Sequence, residues 1–181
     1  MNTIRVSLPL RGVPETFESE IQKKIYDTLS NLGIEFERVE NDPAVTMEDC
    51  KAIDNAFGVE TIKTVFLTNR QKTKFYLLAM PAEKQFITKD FGSALEIPRV
   101  SFADEILLAE KLGTPRGAAT PLSILQDSGQ EVMVVIDEEL LKRDKIVCTD
   151  GTLHGFICLR LKDLLNNFFT QTNHQPRIIN L

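Results

Sequence analysis

Residues 61–80 read TIKTVFLTNRQKTKFYLLAM. Two runs, Thr61–Thr68 and Thr73–Met80, are rich in β-branched and aromatic residues, and the polar stretch Asn69-Arg70-Gln71-Lys72 separates them. Such side chains suit the pleated surface of a sheet, and a short polar break between two such runs marks an antiparallel hairpin. Upstream, Thr46 followed by Asp49 forms a capping-box pattern, which opens a helix that runs to Phe57 and stops at Gly58. A strand over Ile34–Glu40 precedes it. Before that, Phe17, Ile21, Ile25, Leu29 and Leu32 recur every three or four residues, the stripe of an amphipathic helix over Glu15–Leu32 with Gly33 at its end.

Downstream of Pro81 the pattern predicts a capped helix from about Thr88, a short strand over Arg99–Ser101 and a helix over Ala103–Leu112, with Ser101 and Asp104 repeating the capping signal. Gly113–Pro121 holds little besides Gly, Pro, Thr and Ala and reads as a loop. Strands follow at Glu131–Asp137, Lys145–Cys148 and Leu153–Leu159, then a helix over Lys162–Phe169 and a last strand over Arg177–Leu181. Strands mixed irregularly with helices predict an α/β fold of the α+β type, with a mixed, largely antiparallel sheet and surrounding helices. Residues 1–14, with Pro9, Gly12 and Pro14, read as an extended arm, and residues 15–181 as one domain.

The 181 residues, 43% hydrophobic and 26% charged, suffice for a single core. No apolar run approaches the roughly 20 residues that span a bilayer, and no basic-then-apolar leader opens the chain, so the expectation is a cytoplasmic protein that does not enter membranes. Cys50, Cys148 and Cys158 form no CxxC or Cys/His cluster, which predicts buried thiols without disulfide or metal. The net charge of −5 argues against a broad basic face for nucleic acid. Basic residues nevertheless concentrate between Lys63 and Lys89, among them Arg70, Lys72 and Lys74, so any RNA contact is expected to be local. Hydrolase, zincin, P-loop and dinucleotide signatures are all missing. Of the two histidines, His174 reads as exposed in a polar tail, and His154 as structural.

Several ordered stretches resemble the family of YbaK and the prolyl-tRNA-synthetase editing domains, in particular its free-standing ProX or PrdX branch. Ile62–Arg70 is similar to that branch's K-N-L-F-L-x-N-R hairpin, Asn41–Thr46 to H-x-P-A-x-T, Phe75–Leu78 to Y-L-L, Arg99–Ala103 to R-L-S-F-A, and Gly117–Pro121 with Asp127 to G-S-V-S-P and a later N-D. The resemblance implies hydrolysis of a mischarged ester on tRNA, typically alanine or cysteine on proline tRNA, with no metal, cofactor or covalent nucleophile.

In that light Lys63, Gly117 and Ala118 are the catalytic candidates. Lysine adds positive potential where negative charge develops, and a glycine-containing loop presents backbone amides to an oxyanion. Thr46, Thr64, Ala119, Thr120, Pro121, Thr149 and Leu153 are the substrate-binding candidates, and Arg70, Lys72 and Lys74 the tRNA-binding ones. The implied partner is the tRNA acceptor end, weakly and locally held; association with prolyl-tRNA synthetase or an elongation factor is compatible with the resemblance. The chain departs from the branch at Thr64, which stands for asparagine, and at Thr149 and Leu153, which stand for histidine and asparagine of H-P-x-x-N-T. Asn41 replaces an early histidine, and Arg116 is an extra residue before Gly117. Two readings follow: an editing hydrolase that works without imidazole, or a catalytically silent module that binds aminoacyl-tRNA, an amino acid or a protein.

Overall fold

The computed structural model describes residues 3–181. Its elements in order are α1 (Glu20–Asn31), β1 (Phe36–Glu40), α2 (Met47–Phe57), β2 (Ile62–Asn69), β3 (Phe75–Pro81), α3 (Thr88–Leu95), β4 (Val100–Phe102) and α4 (Glu105–Leu112). A 3-10 turn (Pro121–Gln126), β5 (Val132–Asp137), a second 3-10 turn (Glu138–Lys142), β6 (Lys145–Thr149) and β7 (Gly155–Arg160) follow. A helical segment, α5 (Leu161–Asp163), passes through a π turn (Leu164–Phe168) into α6 (Phe169–Gln171), and β8 (Arg177–Ile179) closes the order.

The strands form two sheets, β1-β7-β6 and β4-β2-β3-β5-β8. Four of the six pairings are antiparallel; β3–β5 and β5–β8 are parallel. The expected mixed, largely antiparallel arrangement is therefore present, divided into two sheets that meet at one parallel bridge between Thr61 and Val147. One core nevertheless serves both. Ile62, Phe66 and Leu77 of the larger sheet share an apolar cluster with Ile146, Ile157 and Leu159 of the smaller one, covered by Ile21, Ile25 and Leu29 of α1. A second cluster packs Phe91 and Leu95 of α3 on the opposite face of the larger sheet, and a third packs Cys50 and Ile53 of α2 on the smaller one. β3 is buried along its whole length because it lies inside the sheet with cover on both faces.

Local chemistry sets the boundaries. Thr46 and Asp49 make the reciprocal capping box of α2, and Gly58 ends that helix in the left-handed region. α1 starts at Glu20 rather than Glu15, because Ser19 is its N-cap and accepts from the Gln22 amide; Phe17 still packs on the core ahead of the helix. α4 is capped by Asp104 itself, which accepts from the Leu107 amide, and not by Ser101, which lies in β4. No side chain caps α3, whose N-cap position is Ile87. The arm, from residue 3 onward, runs beside β1 through bridges Val6–Asn41 and Leu10–Arg38; Met1 and Asn2 lie outside the described residues.

His174 is not exposed. Only 6% accessible, its Nε2 lies 2.9 Å from Asp127 Oδ2, and that carboxylate also accepts the amides of Glu131 and Val132 at the start of β5. The polar tail is drawn inward because β8 joins β5 in parallel, a long-range pairing that carries His174 beneath the sheet edge. All three cysteines are free and buried. Among the described residues no helix is long and apolar enough to cross a membrane.

Candidate functional site

A cleft of about 570 Å³ opens at the seam between the sheets. Its floor is the first half of β2, and its walls come from the start of α2, the β4–α4 corner, the loop carrying Gly117, and Thr149 and Phe156 of the smaller sheet. The cleft exists because β4 pairs only with Leu67–Asn69 of β2. The last bond on that edge runs from the Ala103 amide to the Phe66 carbonyl at 2.9 Å. Strand alternation then turns the Thr64 amide and carbonyl toward the same, now open, side.

The Gly117 loop is shaped by two bonds. The Ala118 amide donates to the Pro115 carbonyl at 3.2 Å, and the Thr149 hydroxyl donates to the Ala118 carbonyl at 2.8 Å. Gly117 takes φ of +88°, and a Cβ there would meet Leu153 Cδ2 at 3.3 Å, so both the backbone and the space favour glycine. With Ala118 consumed, the amides of Gly117 and Ala119 have no acceptor among the described residues, and both residues line the cleft.

The expected five-residue cradle thus contracts to two donors. Ala118 is fully buried and does not line the cleft; its amide is spent on the turn with Pro115. Thr120 is turned inward, where its hydroxyl accepts from the Leu122 amide to cap the 3-10 turn that Pro121 opens. Neither reaches the cleft, and Leu153 sits behind Gly117 as packing.

Lys63, Thr46 and Thr64 line the cleft with Gly117 and Ala119. The Lys63 ammonium donates to the Lys84 carbonyl in the turn after β3. Lys84 is itself held by Asp137 at 2.8 Å and Glu139 at 3.0 Å, so the anchor for Lys63 is fixed. The Thr46 hydroxyl, at the mouth, accepts from the Asp49 amide at 3.2 Å.

The positions where the chain departs from the H-P-x-x-N-T and H-x-P-A-x-T patterns have become structural. Thr149 ties down the loop, and Asn41 donates from Nδ2 to the carbonyls of Asp42 and Leu153, which stitches β1 to the turn between β6 and β7. That turn is also pinned from below. Asp150 accepts from Gln22 Nε2, Tyr26 OH, the Thr152 hydroxyl and the Thr152 amide, and burial holds its carboxyl above the usual range despite these donors. His154 pairs with Glu18 at 3.0 Å, half-exposed and away from the cleft.

The ionisable residues lining the cleft are therefore Cys50, Lys63, Asp104, Glu105 and Arg116, with no imidazole among them. Burial pushes the Cys50 thiol up to about 11, which keeps it protonated near neutrality. The Asp104 carboxyl is held below the ordinary range, first by the Leu107 amide and then by Lys72 at 3.0 Å. Lys72 is thus paired with a cleft-lining carboxylate, but Arg70, Lys72 and Lys74 are all exposed around the hairpin tip and none lines the cleft. Arg116 went unselected among the candidates although the sequence marks it as a cation inserted beside the loop. Its side chain is 82% exposed, with Glu105 no closer than 3.9 Å. Among the described residues no group of three His, Cys, Asp or Glu side chains is arranged to hold a metal ion.

The sequence model of the aminoacyl-tRNA editing domain matches residues 41–166, which contain every residue lining this cleft. Prolyl-tRNA synthetase associated domain-containing protein 1 of Mus musculus is 30% identical over 167 residues, covering 90% of this chain and 97% of that protein. The prolyl-tRNA editing protein ProX of Acetoanaerobium sticklandii is 25% identical over 147 residues, covering 81% of this chain and 90% of that one. A solved structure of a candidate trans-editing enzyme for prolyl-tRNA synthetase has the same fold, with a TM-score of 0.66 at 17% identity over 91% of this chain and 99% of that one.

Proposed function

The chain belongs to the aminoacyl-tRNA editing domain family, and from that premise we propose that it hydrolyses the ester of a wrongly charged amino acid on tRNA, alanyl- or cysteinyl-tRNA(Pro) first among the candidates. The observation that carries this reading is the pair of unengaged amides, Gly117 and Ala119, in one cleft with Lys63. As water attacks the ester carbonyl, the carbonyl oxygen gains negative charge. Preorganised N–H donors and a nearby ammonium stabilise that charge most where they need not reorganise, and the loop is held in advance by Thr149.

Two features are consistent with a route that uses neither covalent nucleophile nor imidazole. The thiol facing the cleft is held protonated, and no histidine lines it. The attacking water is then oriented by backbone groups, including the open edge at Thr64, and by the terminal ribose hydroxyl of the tRNA itself. The partner is the tRNA acceptor end, held through few phosphate contacts, with association to prolyl-tRNA synthetase or an elongation factor in the cytoplasm as a further part of the proposal. The test is a panel of mischarged tRNAs incubated with purified protein, with deacylation followed over time. Release of one amino acid at a rate well above the uncatalysed background is expected.

The second reading is a silent module. It is favoured by one observation: Thr149 and Asn41 stand at histidine positions of the related pattern and serve structure instead. Binding of aminoacyl-tRNA without deacylation of any member of the panel selects it.

A further inference from the structure

The mouth of the cleft is more apolar than a solvated rim requires. Val45, Met47 and Phe102 line it at 60%, 43% and 63% exposure, and Ile106 follows immediately after the lining residue Glu105. Isolated exposed apolar residues are ordinary, but a cluster around one opening marks a binding surface. Phe102 differs from the others in how firmly it is held. It ends β4, paired with Leu67 of β2. Its ring also leans edge-on against Phe86, with centroids 5.6 Å apart, and Phe86 leans on the fully buried Phe91 at 5.9 Å. A column of aromatic rings therefore props an exposed phenyl face from the core outward. The same mouth carries Arg116, whose loose partner Glu105 lies at 3.9 Å with both side chains mostly in solvent. A firmly held aromatic face and an exposed guanidinium lining one cleft suit a ligand with a flat π-system and a phosphate, which is the chemistry of a nucleotide.

We propose that Phe102 is the stacking platform for the terminal base of the tRNA and that Arg116 takes the phosphate of that nucleotide. This inference rests on the reading of the cleft as an aminoacyl-tRNA site and names the residues that hold the nucleotide end of the substrate. An apolar protein segment would use the rim and Phe102 but would have no use for Arg116, so the cation decides between the two occupants. The role is binding and positioning. Arg116 stands next to Gly117, so engagement of the phosphate bears directly on the loop that presents the two amides.

The test uses the full chain and three non-hydrolysable probes. The first is alanine amide-linked to the 3′ position of an adenosine 5′-phosphate analogue; the second lacks the base, and the third lacks the phosphate. Loss of the base is expected to weaken binding to the unaltered protein about tenfold, the scale of one base–aromatic stack, and to cost Phe102→Ala almost nothing. Phe102→Trp retains the dependence on the base. Loss of the phosphate is expected to weaken binding roughly fivefold in the unaltered protein and not in Arg116→Gln, as a charge-assisted contact requires. Phe102 and Arg116 are both exposed, so these variants should fold; melting curves provide the control. Equal dependence on the base in the unaltered protein and in Phe102→Ala overturns the platform. If mischarged tRNA is deacylated but loss of the base costs nothing, the rim is a protein-docking face and this inference fails while the editing function stands. If no probe binds and no mischarged tRNA is hydrolysed, both fail.

Discussion

The Thr149 hydroxyl and the Ala118 carbonyl meet at 2.8 Å in the buried wall of the cleft, and this bond anchors the loop whose Gly117 and Ala119 amides remain free. Thr149→Val keeps the shape but leaves that carbonyl unpaired. A loss of about 1–3 kcal/mol in urea unfolding is expected, with deacylation falling as the loop relaxes, while Thr149→Ser restores both. Unchanged deacylation in Thr149→Val would remove the loop from the mechanism.

Lys63 should matter more to rate than to stability. Lys63→Ala gives up one hydrogen bond to the Lys84 carbonyl, about 1 kcal/mol, but it also removes a cationic side chain that lines the cleft. Single-turnover deacylation is expected to fall about a hundredfold. Gly117→Val should be as harmful, because φ of +88° and the contact with Leu153 both oppose a β-branched side chain. A Lys63→Ala protein that deacylates at the original rate would show that the amides act alone.

The thiols are expected to be bystanders. Burial raises Cys50 to about 11, Cys148 to about 12 and Cys158 to about 11, so thiolate is scarce at pH 7. Iodoacetamide should react slowly with the folded protein and faster only as the pH approaches about 11. Cys50→Ser should leave deacylation within about twofold, since the thiol holds no charge to contribute. A large loss in Cys50→Ser would instead point to a thiol nucleophile.

Asp150 gives the fold an unusual dependence on pH. Its folded carboxyl is raised by burial, so the folded state binds a proton that the unfolded chain releases near its ordinary value of about 4. Its contribution is therefore greatest in acid and is lost as pH rises from about 4 through the raised folded value. Asp42, Asp49 and Asp104 act in the opposite sense below about 4, because each is held low and loses its contribution as pH falls through its folded value. Urea unfolding across the acid range should show both arms. Asp150→Asn should abolish the arm above about 4 and cost stability throughout, since its amide nitrogen would face the donor Gln22 Nε2.

Much of the architecture was legible where the signal is local. The hairpin, the capping box at Thr46 and Asp49, and the stripe of α1 are each written within a few residues, and each formed within a few residues of its expected bounds. His174 was misread because its burial depends on β8 pairing with β5, a contact that no local pattern announces. The 3-10 turns escaped because segments of six and five residues carry no period to detect. At the site, the composition of residues 113–121 marked the loop, whereas Lys63, Thr46, Thr64 and Thr149, all of which line the cleft, were singled out by the resemblance to the editing-domain motifs and not by residue type or spacing. Which amides of the loop stay free depended on the bond from Ala118 to Pro115, and that is geometry rather than composition.

The two sheets are hydrogen-bonded almost independently, joined among the described residues by a single bridge at Thr61 and Val147, yet they share one apolar cluster. Separate ladders with a common interior cannot melt separately, because loss of either sheet strips the other of its cover. Amide exchange from β3 and from β7 should therefore converge on one opening free energy, that of the whole molecule. The cleft lies on this seam, so its width is a property of the global fold, and ligand held there would slow exchange in both sheets at once.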